Sequence, residues 1–258
     1  MMGAVANTPD QAIGVLAGIV RPAKDGVTAA LDSPAELNVV ERIDWASDKS
    51  SALRRAIVPV FAVIKSHLSE NTSLVLHITA SMPGEGTSTV ARELALCAAK
   101  ASWCKVLLVD GNPSQNGQSD YFGLSSLPVL SQSLLESGRI DTVGMRLGDS
   151  RFHLSAFPLG EVHVASANDP SAVPQFYQRL RATFRLTIVD CPPIMTSPDT
   201  ASLSGYADGV ILVIEAEKTR VPVIMRAKKE IEEGDGKIYG VVMNKRKHYI
   251  PNFIYRLL

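Results

Sequence analysis

The chain has 258 residues, 26 basic and 26 acidic side chains, and 46% hydrophobic residues. That length allows one or two domains with a sizeable core, and the composition excludes a disordered chain. The charge balance excludes attraction of the whole molecule to nucleic acid or to an acidic substrate; any such attraction is local.

Residues 1–45 mix Ala, Val, Pro, Gly and Asp without clear periodicity and read as a poorly ordered N-terminal arm. Within it, Ala12–Val20 is apolar but shorter than the ~20 residues of a membrane helix. No basic segment precedes it, so it does not read as a signal peptide. From residue 50 to 67, "SSALRRAIVPVFAVIKSH" has helical character, and Pro59 is expected to kink or divide it. A regular alternation follows. "LVLHIT" (74–79), "KVLLVD" (105–110), "LTIVD" (186–190), "ADGVILVIEA" (207–216) and "KIYGVVMN" (237–244) are short apolar runs that predict buried strands. "FHLSAFPLG" (152–160) predicts a further strand and its exit. Between them, residues 88–102, 130–137, 174–184 and 221–234 carry helical spacing. Continuous apolar strands alternating with helices predict an α/β fold: a doubly wound, mainly parallel sheet with helices on both faces. The unit spans residues 46–244, with a tail from 245 to 258. The cysteines, Cys97, Cys104 and Cys191, are odd in number and match no metal-ligand spacing, which points to a reducing compartment.

Three motifs lie at predicted strand ends, where ligands bind in sheets of this kind. "SMPGEGTS" (81–88) approximates G-x-x-x-x-G-K-[ST], a loop whose backbone N–H groups cradle phosphate. Ser81 holds the first glycine position and Thr87 the lysine position, so the shape is mostly present and the charge is absent. Glycine-rich strand-to-helix turns also occur without ligands. Asp110, in "VLLVDGN", and Asp190, in "LTIVDCPP", end buried strands, where a carboxylate is costly unless paired. Each read alone is also an ordinary strand-end residue: Asp110 a turn-former, Asp190 a cap.

Taken in order, "PGEGTST", "VDGN" and "DCPP" resemble the deviant Walker branch of P-loop ATPases, and within it the bacterial tyrosine kinase domain of capsule and exopolysaccharide systems. The resemblance runs on through "FPLG" (157–160), residues 197–215 and "GVVMN" (240–244), covering about residues 50–258. It implies a P-loop NTPase-like domain that binds ATP or ADP with magnesium. By position it assigns nucleotide binding to Gly84, Glu85, Gly86, Thr87, Ser88 and Thr89, with Asn244 near adenine. Ser88, Asp110 and Asp190 would hold magnesium, and Asp110 and Asp190 would be the catalytic acids. Thr87 replaces the family's lysine and Asn112 an acid, so the expected nucleotide and magnesium binding is weak and the domain degenerate in catalysis. No lysine is expected to neighbour the loop, and Arg92 lies one turn into the following helix, placed to point along it. Arg54 and Arg55 are adjacent rather than regularly spaced, which departs from the family's ring-assembly pattern and leaves oligomerisation open.

The tail, "NKRKHYIPNFIYRLL" (244–258), combines Lys245, Arg246, Lys247 and Arg256 with bulky apolar and aromatic residues. Tyr249 and Tyr255 are phosphoacceptor candidates, a sparse version of the family's tyrosine cluster. Docking on a partner or an anionic membrane surface, and packing on the chain's own domain, are the other two readings. The resemblance implies a cytoplasmic regulator of exopolysaccharide chain length or export, peripheral at the inner membrane through a membrane polysaccharide co-polymerase, with no role for nucleic acid. The alternatives are an active tyrosine autokinase and a spatial-positioning ATPase of the same fold. The latter class carries a second loop lysine, where Met82–Pro83 offers none.

Overall fold

A computed structural model of the chain describes residues 12–16, 35–40, 51–68, 72–101, 105–112, 117–130, 140–147, 150–157, 159 and 171–246. Its centre is four parallel strands: β3 (Leu74–Ala80), β4 (Val106–Asp110), β7 (Leu186–Asp190) and β8 (Gly209–Glu215). Around them stand β1 (Ala12–Leu16), β2 (Ala35–Val40), β5 (Asp141–Leu147), β6 (Ser150–Ala156) and β9 (Ile238–Arg246). The nine strands form one sheet in the order β1-β9-β8-β3-β7-β4-β6-β5-β2. Pairing is parallel except for β1 on β9 and β5 on β6. The helices are α1 (Ser51–His67), α2 (Thr87–Lys100), α3 (Gly117–Tyr121), α4 (Ala172–Thr183), α5 (Pro198–Leu203) and α6 (Val221–Glu233).

Strand alternation sorts side chains to the two faces. Leu74, Leu76 and Ile78 of β3, Val106 and Leu108 of β4, and Leu186 and Ile188 of β7 pack with α1 and α2. Val75, Leu107, Val109 and Val189, from the same strands, pack with Phe176, Tyr177 and Leu180 of α4 on the opposite face. Val210, Leu212 and Ile214 of β8 meet Ala227 and Ile231 of α6. Every residue of β3, β4 and β7 is buried, because helices cover both faces.

Three expectations change. The 1–45 segment places Ala12–Leu16 and Ala35–Val40 on the two edges of the sheet, so it supplies two strands rather than only an irregular arm. Strand β5 and its antiparallel pairing with β6 had no counterpart in the strand reading. Gly148–Asp149, between two runs of strand length, was the available turn signal. Helix α1 is one element through Pro59. Pro59 is on the exposed side, while Ile57, Val60, Phe61 and Ile64 are buried against the core, and that packing outweighs the missing backbone bond. The helix expected at 130–137 lies almost entirely outside the described residues.

One buried polar pair carries a pH signature. His77 of β3 is fully buried, and its Nε2 lies 2.8 Å from the Tyr177 hydroxyl. Burial, and secondarily the Arg181 charge, lowers its pKa to about 3. The folded state therefore keeps His77 neutral, whereas the unfolded chain takes up the proton near pH 6.5. Stability from this residue is complete above pH 6.5 and is lost as pH falls toward 3, at up to about 1.4 kcal/mol per pH unit. Denaturant unfolding across pH 4–7 should show His77→Gln losing about 1–2 kcal/mol at neutral pH but with a flatter acid limb than the parent. An unchanged acid limb would place the sensitivity elsewhere.

Candidate functional site

The carboxyl ends of β3, β7, β4 and β8 lie side by side, and the three sequence motifs meet there. After β3 the chain turns through Ser81–Gly86 into α2. Gly84 and Gly86 have φ of +82° and +97°, a left-handed backbone that glycine adopts without strain. Gly86 is the N-cap of α2, and no side chain caps that helix, so its first N–H groups have no side-chain acceptor. An uncapped N-terminus after a glycine loop is the arrangement that receives anions. Thr87, Ser88 and Thr89 form its first turn. Thr87 is buried and brings no charge.

The loop is fastened by residues distant in sequence. The Glu85 carboxylate turns inward, accepting from Met82 N at 2.9 Å and from the Thr219 hydroxyl just before α6. Asn244 of β9 donates from Nδ2 to Glu85 O at 2.8 Å. Lys245, with φ of +56°, donates from Nζ to Gly84 O at 2.5 Å and pairs with Glu215 at 3.3 Å. The expectation that no lysine neighbours the loop is therefore corrected: β8–β9 pairing brings Lys245 to it from the far end of the chain. Sequence adjacency could not reveal this, although the basic run after the last strand was visible.

Asp110 and Asp190 are paired positions on adjacent strands, and both are buried. Asp110 Oδ1 accepts from Asn112 N at 3.1 Å and Oδ2 from Gln118 N at 3.3 Å. Asp190 Oδ2 accepts from Gln118 Nε2 at 2.8 Å, and Ser88 also hydrogen-bonds Asp190. Burial raises both carboxyl pKa values, that of Asp190 to about 7, where the Asp110 charge adds to burial and the Gln118 and Ser88 bonds oppose it. Gln118, a residue that the sequence reading missed, also donates from Nε2 to Ser88 O at 3.0 Å. Nothing in "NGQSDYF" marks it out.

Ser88, Asp110 and Asp190 thus converge as the sequence reading expected of magnesium ligands. The Gln118 amide already binds among them, however, and an amide N–H is a donor rather than a metal ligand. As they stand, these residues do not fit a magnesium ion. Among the described residues there is also no cluster of three His, Cys, Asp or Glu side chains able to hold a metal. Arg92 is directed away from the loop: it donates to Gln118 Oε1 at 3.3 Å and stacks over Tyr121 at 3.7 Å. Tyr249 and Tyr255 lie outside the described residues.

A doubly wound, mostly parallel sheet with a glycine loop after one central strand and aspartates ending two others defines a P-loop ATPase-like protein. No family model matches the chain. It is 28% identical over 202 residues to the tyrosine-protein kinase CpsD of Streptococcus agalactiae, covering 75% of this chain and 84% of that protein. It is 29% identical over 172 residues to the tyrosine-protein kinase YwqD of Bacillus subtilis, covering 66% and 71%. The kinase domain of the Escherichia coli tyrosine kinase ETK superposes with a TM-score of 0.63 at 20% identity, over 76% of this chain and 77% of that one. By sequence the chain is similar to bacterial tyrosine kinases, and it shares the fold of their kinase domain.

The loop geometry makes a graded prediction. A Cβ on Gly84 would meet nothing within 4 Å, whereas one on Gly86 would lie 2.2 Å from Asn244 Nδ2. Gly84→Ala should cost about 1 kcal/mol of backbone strain. Gly86→Ala should cost about 2–3 kcal/mol, because it also expels Asn244 from Glu85 O. Adding Asn244→Ala to Gly86→Ala should cost less than the two singles summed, as measured by urea unfolding. Strict additivity would mean that Asn244 does not hold the loop.

Proposed function

We propose that this chain is a regulatory, catalytically degenerate tyrosine kinase-like protein of exopolysaccharide production that retains weak nucleotide binding. The observation that carries the reading is a phosphate cradle kept in shape with a neutral residue at its lysine position. The left-handed Gly84 and Gly86 and the uncapped start of α2 are present, while Thr87 stands in the lysine position and Arg92 is engaged with Gln118. Phosphoryl transfer depends on positive charge set against the transferring oxygens. A neutral hydroxyl supplies a bond about half as strong as a charge-assisted one. Groups aimed at developing charge typically contribute ~10²–10³ in rate, so the loss falls more on turnover than on binding. Binding would use the backbone of 84–89, with Asn244 beside the base. The partner is a membrane polysaccharide co-polymerase, and the protein acts at the inner face of the membrane on chain length or export. No helix among the described residues is long and apolar enough to cross a membrane.

One observation favours a second reading, an active autokinase. Lys245 Nζ sits at the loop, donating to Gly84 O and pairing with Glu215, so a cation adjoins the cradle. Phosphotyrosine blotting of the purified parent and of Lys245→Met separates the two. Signal on the parent that disappears in Lys245→Met would establish the autokinase.

Titration calorimetry should show ATP binding to the parent that magnesium does not strengthen. Thr87→Lys with Asn112→Asp should tighten it about tenfold or more, the gain coming from the lysine because Gln118 still fills the metal space. A double variant no tighter than the parent would sink the degenerate-site reading. For the tail, Tyr249→Phe with Tyr255→Phe should leave polysaccharide secretion near normal, while deletion of Pro251–Leu258 should abolish it and release the protein from the membrane fraction. A non-secreting Phe pair would reinstate phosphorylation as the tail's role.

A further inference from the structure

Gln118 is the second residue of the short helix α3 and is fully buried. Its backbone N–H donates to Asp110 Oδ2, and its Nε2 donates both to Asp190 Oδ2 and to Ser88 O, at 3.3, 2.8 and 3.0 Å. Its Oε1 accepts from Arg92 Nη1 at 3.3 Å. Arg92 in turn stacks over Tyr121, at the end of the same helix. We propose that the Gln118 amide takes the place of a divalent cation among Ser88, Asp110 and Asp190, so that this P-loop site is closed to metal by its own side chain.

Two carboxylates at paired positions on buried strands repel each other and need either a cation or hydrogen-bond donors between them. Here donors supply part of that requirement: backbone N–H groups of Asn112 and Gln118 on Asp110, and the Gln118 amide and Ser88 on Asp190, with both carboxyl pKa values still raised. Magnesium demands oxygen ligands in near-octahedral geometry at about 2.0–2.1 Å. Gln118 presents N–H to that space, and Arg92 holds the amide in that sense. A flipped amide would set its oxygen against the Asp190 carboxylate and its NH₂ against the guanidinium, both repulsive. Asn112 is consistent with this arrangement, since an amide plug needs no third acid to balance a dication.

The proposal rests on the nucleotide reading only for where the site lies, and metal alone tests it. Manganese(II) is titrated into the parent, Gln118→Ala and Gln118→Glu without nucleotide, with free ion followed by electron paramagnetic resonance and melting temperature recorded in Mn²⁺ and in EDTA. The parent should show no saturable binding and equal melting in both. Gln118→Ala, which opens the space, should bind Mn²⁺ saturably, about tenfold or more tighter than any residual unsaturated binding of the parent, the factor set by releasing one charge-assisted bond. Gln118→Glu keeps the shape but replaces the donor with a third carboxylate. It should melt lower in EDTA and recover in Mn²⁺, which also tests the idea if Gln118→Ala fails to fold. Saturable binding by the parent equal to the variants', or no response to Mn²⁺ in either variant, overturns the proposal. A separate metal-free ADP titration of the parent distinguishes the readings. No ADP binding would remove the nucleotide reading and leave the manganese result standing.

Discussion

The parallel register of β4 and β7 makes Asp110 and Asp190 neighbours in the buried interior. A buried carboxylate must be paired or hydrogen-bonded, and two abreast need more donors than one strand end provides. The surrounding chain is arranged to meet that need. Gly111 turns across the end of β7, its N–H donating to Asp190 O at 2.8 Å. A Cβ there would lie 2.6 Å from that same oxygen, so only glycine follows Asp110. The turn then brings Asn112 N back to the Asp110 carboxylate, and α3 delivers Gln118 to both acids. The aspartates, the glycine between strand and turn, and the short helix are one solution to one electrostatic demand.

The glycine loop faces a different demand, since its backbone must keep an open, anion-receiving shape. Glu85, Thr219, Asn244 and Lys245 tie it to the N-terminal side of α6 and to β9. Shape and charge are therefore supplied by different residues. Shape comes from this ring of contacts and the left-handed glycines, and charge in the kinase family from one lysine. Replacing that lysine by Thr87 removes the charge and leaves the ring intact. This separation is the physical reason that a chain can keep the fold and the loop shape while the residue at the lysine position carries no charge.

The sheet's margins follow local pairing rather than the central pattern. Strand β9 is covered by antiparallel β1, and the β5–β6 hairpin is extended by parallel β2. Outer strands of this kind shield the central sheet from edge-to-edge association. Their weaker hydrophobic continuity is why β5 escapes a reading based on apolar runs: "DTVGMRL" alternates polar and apolar residues, whereas "LVLHITA" is buried throughout.

The amino-acid sequence by itself determined the central architecture. Apolar runs in β3, β4, β7, β8 and β9 separated by helical spacing specify a parallel, doubly wound sheet, because only helices on both faces can bury such strands. It also determined the order of the three strand-end motifs and, through Thr87, the missing loop charge, since those are properties of residue type and local spacing. Tertiary structure alone decided what surrounds them. Lys245 reaches Gly84 across the whole domain because β9 pairs with β8. Glu85 points inward to Thr219 rather than toward a ligand. Gln118 enters the space between Asp110 and Asp190 because α3 folds back over the end of β4. Each of these depends on contacts between segments far apart in the chain, and a neutral glutamine or a tail lysine has no local pattern that announces where folding will place it.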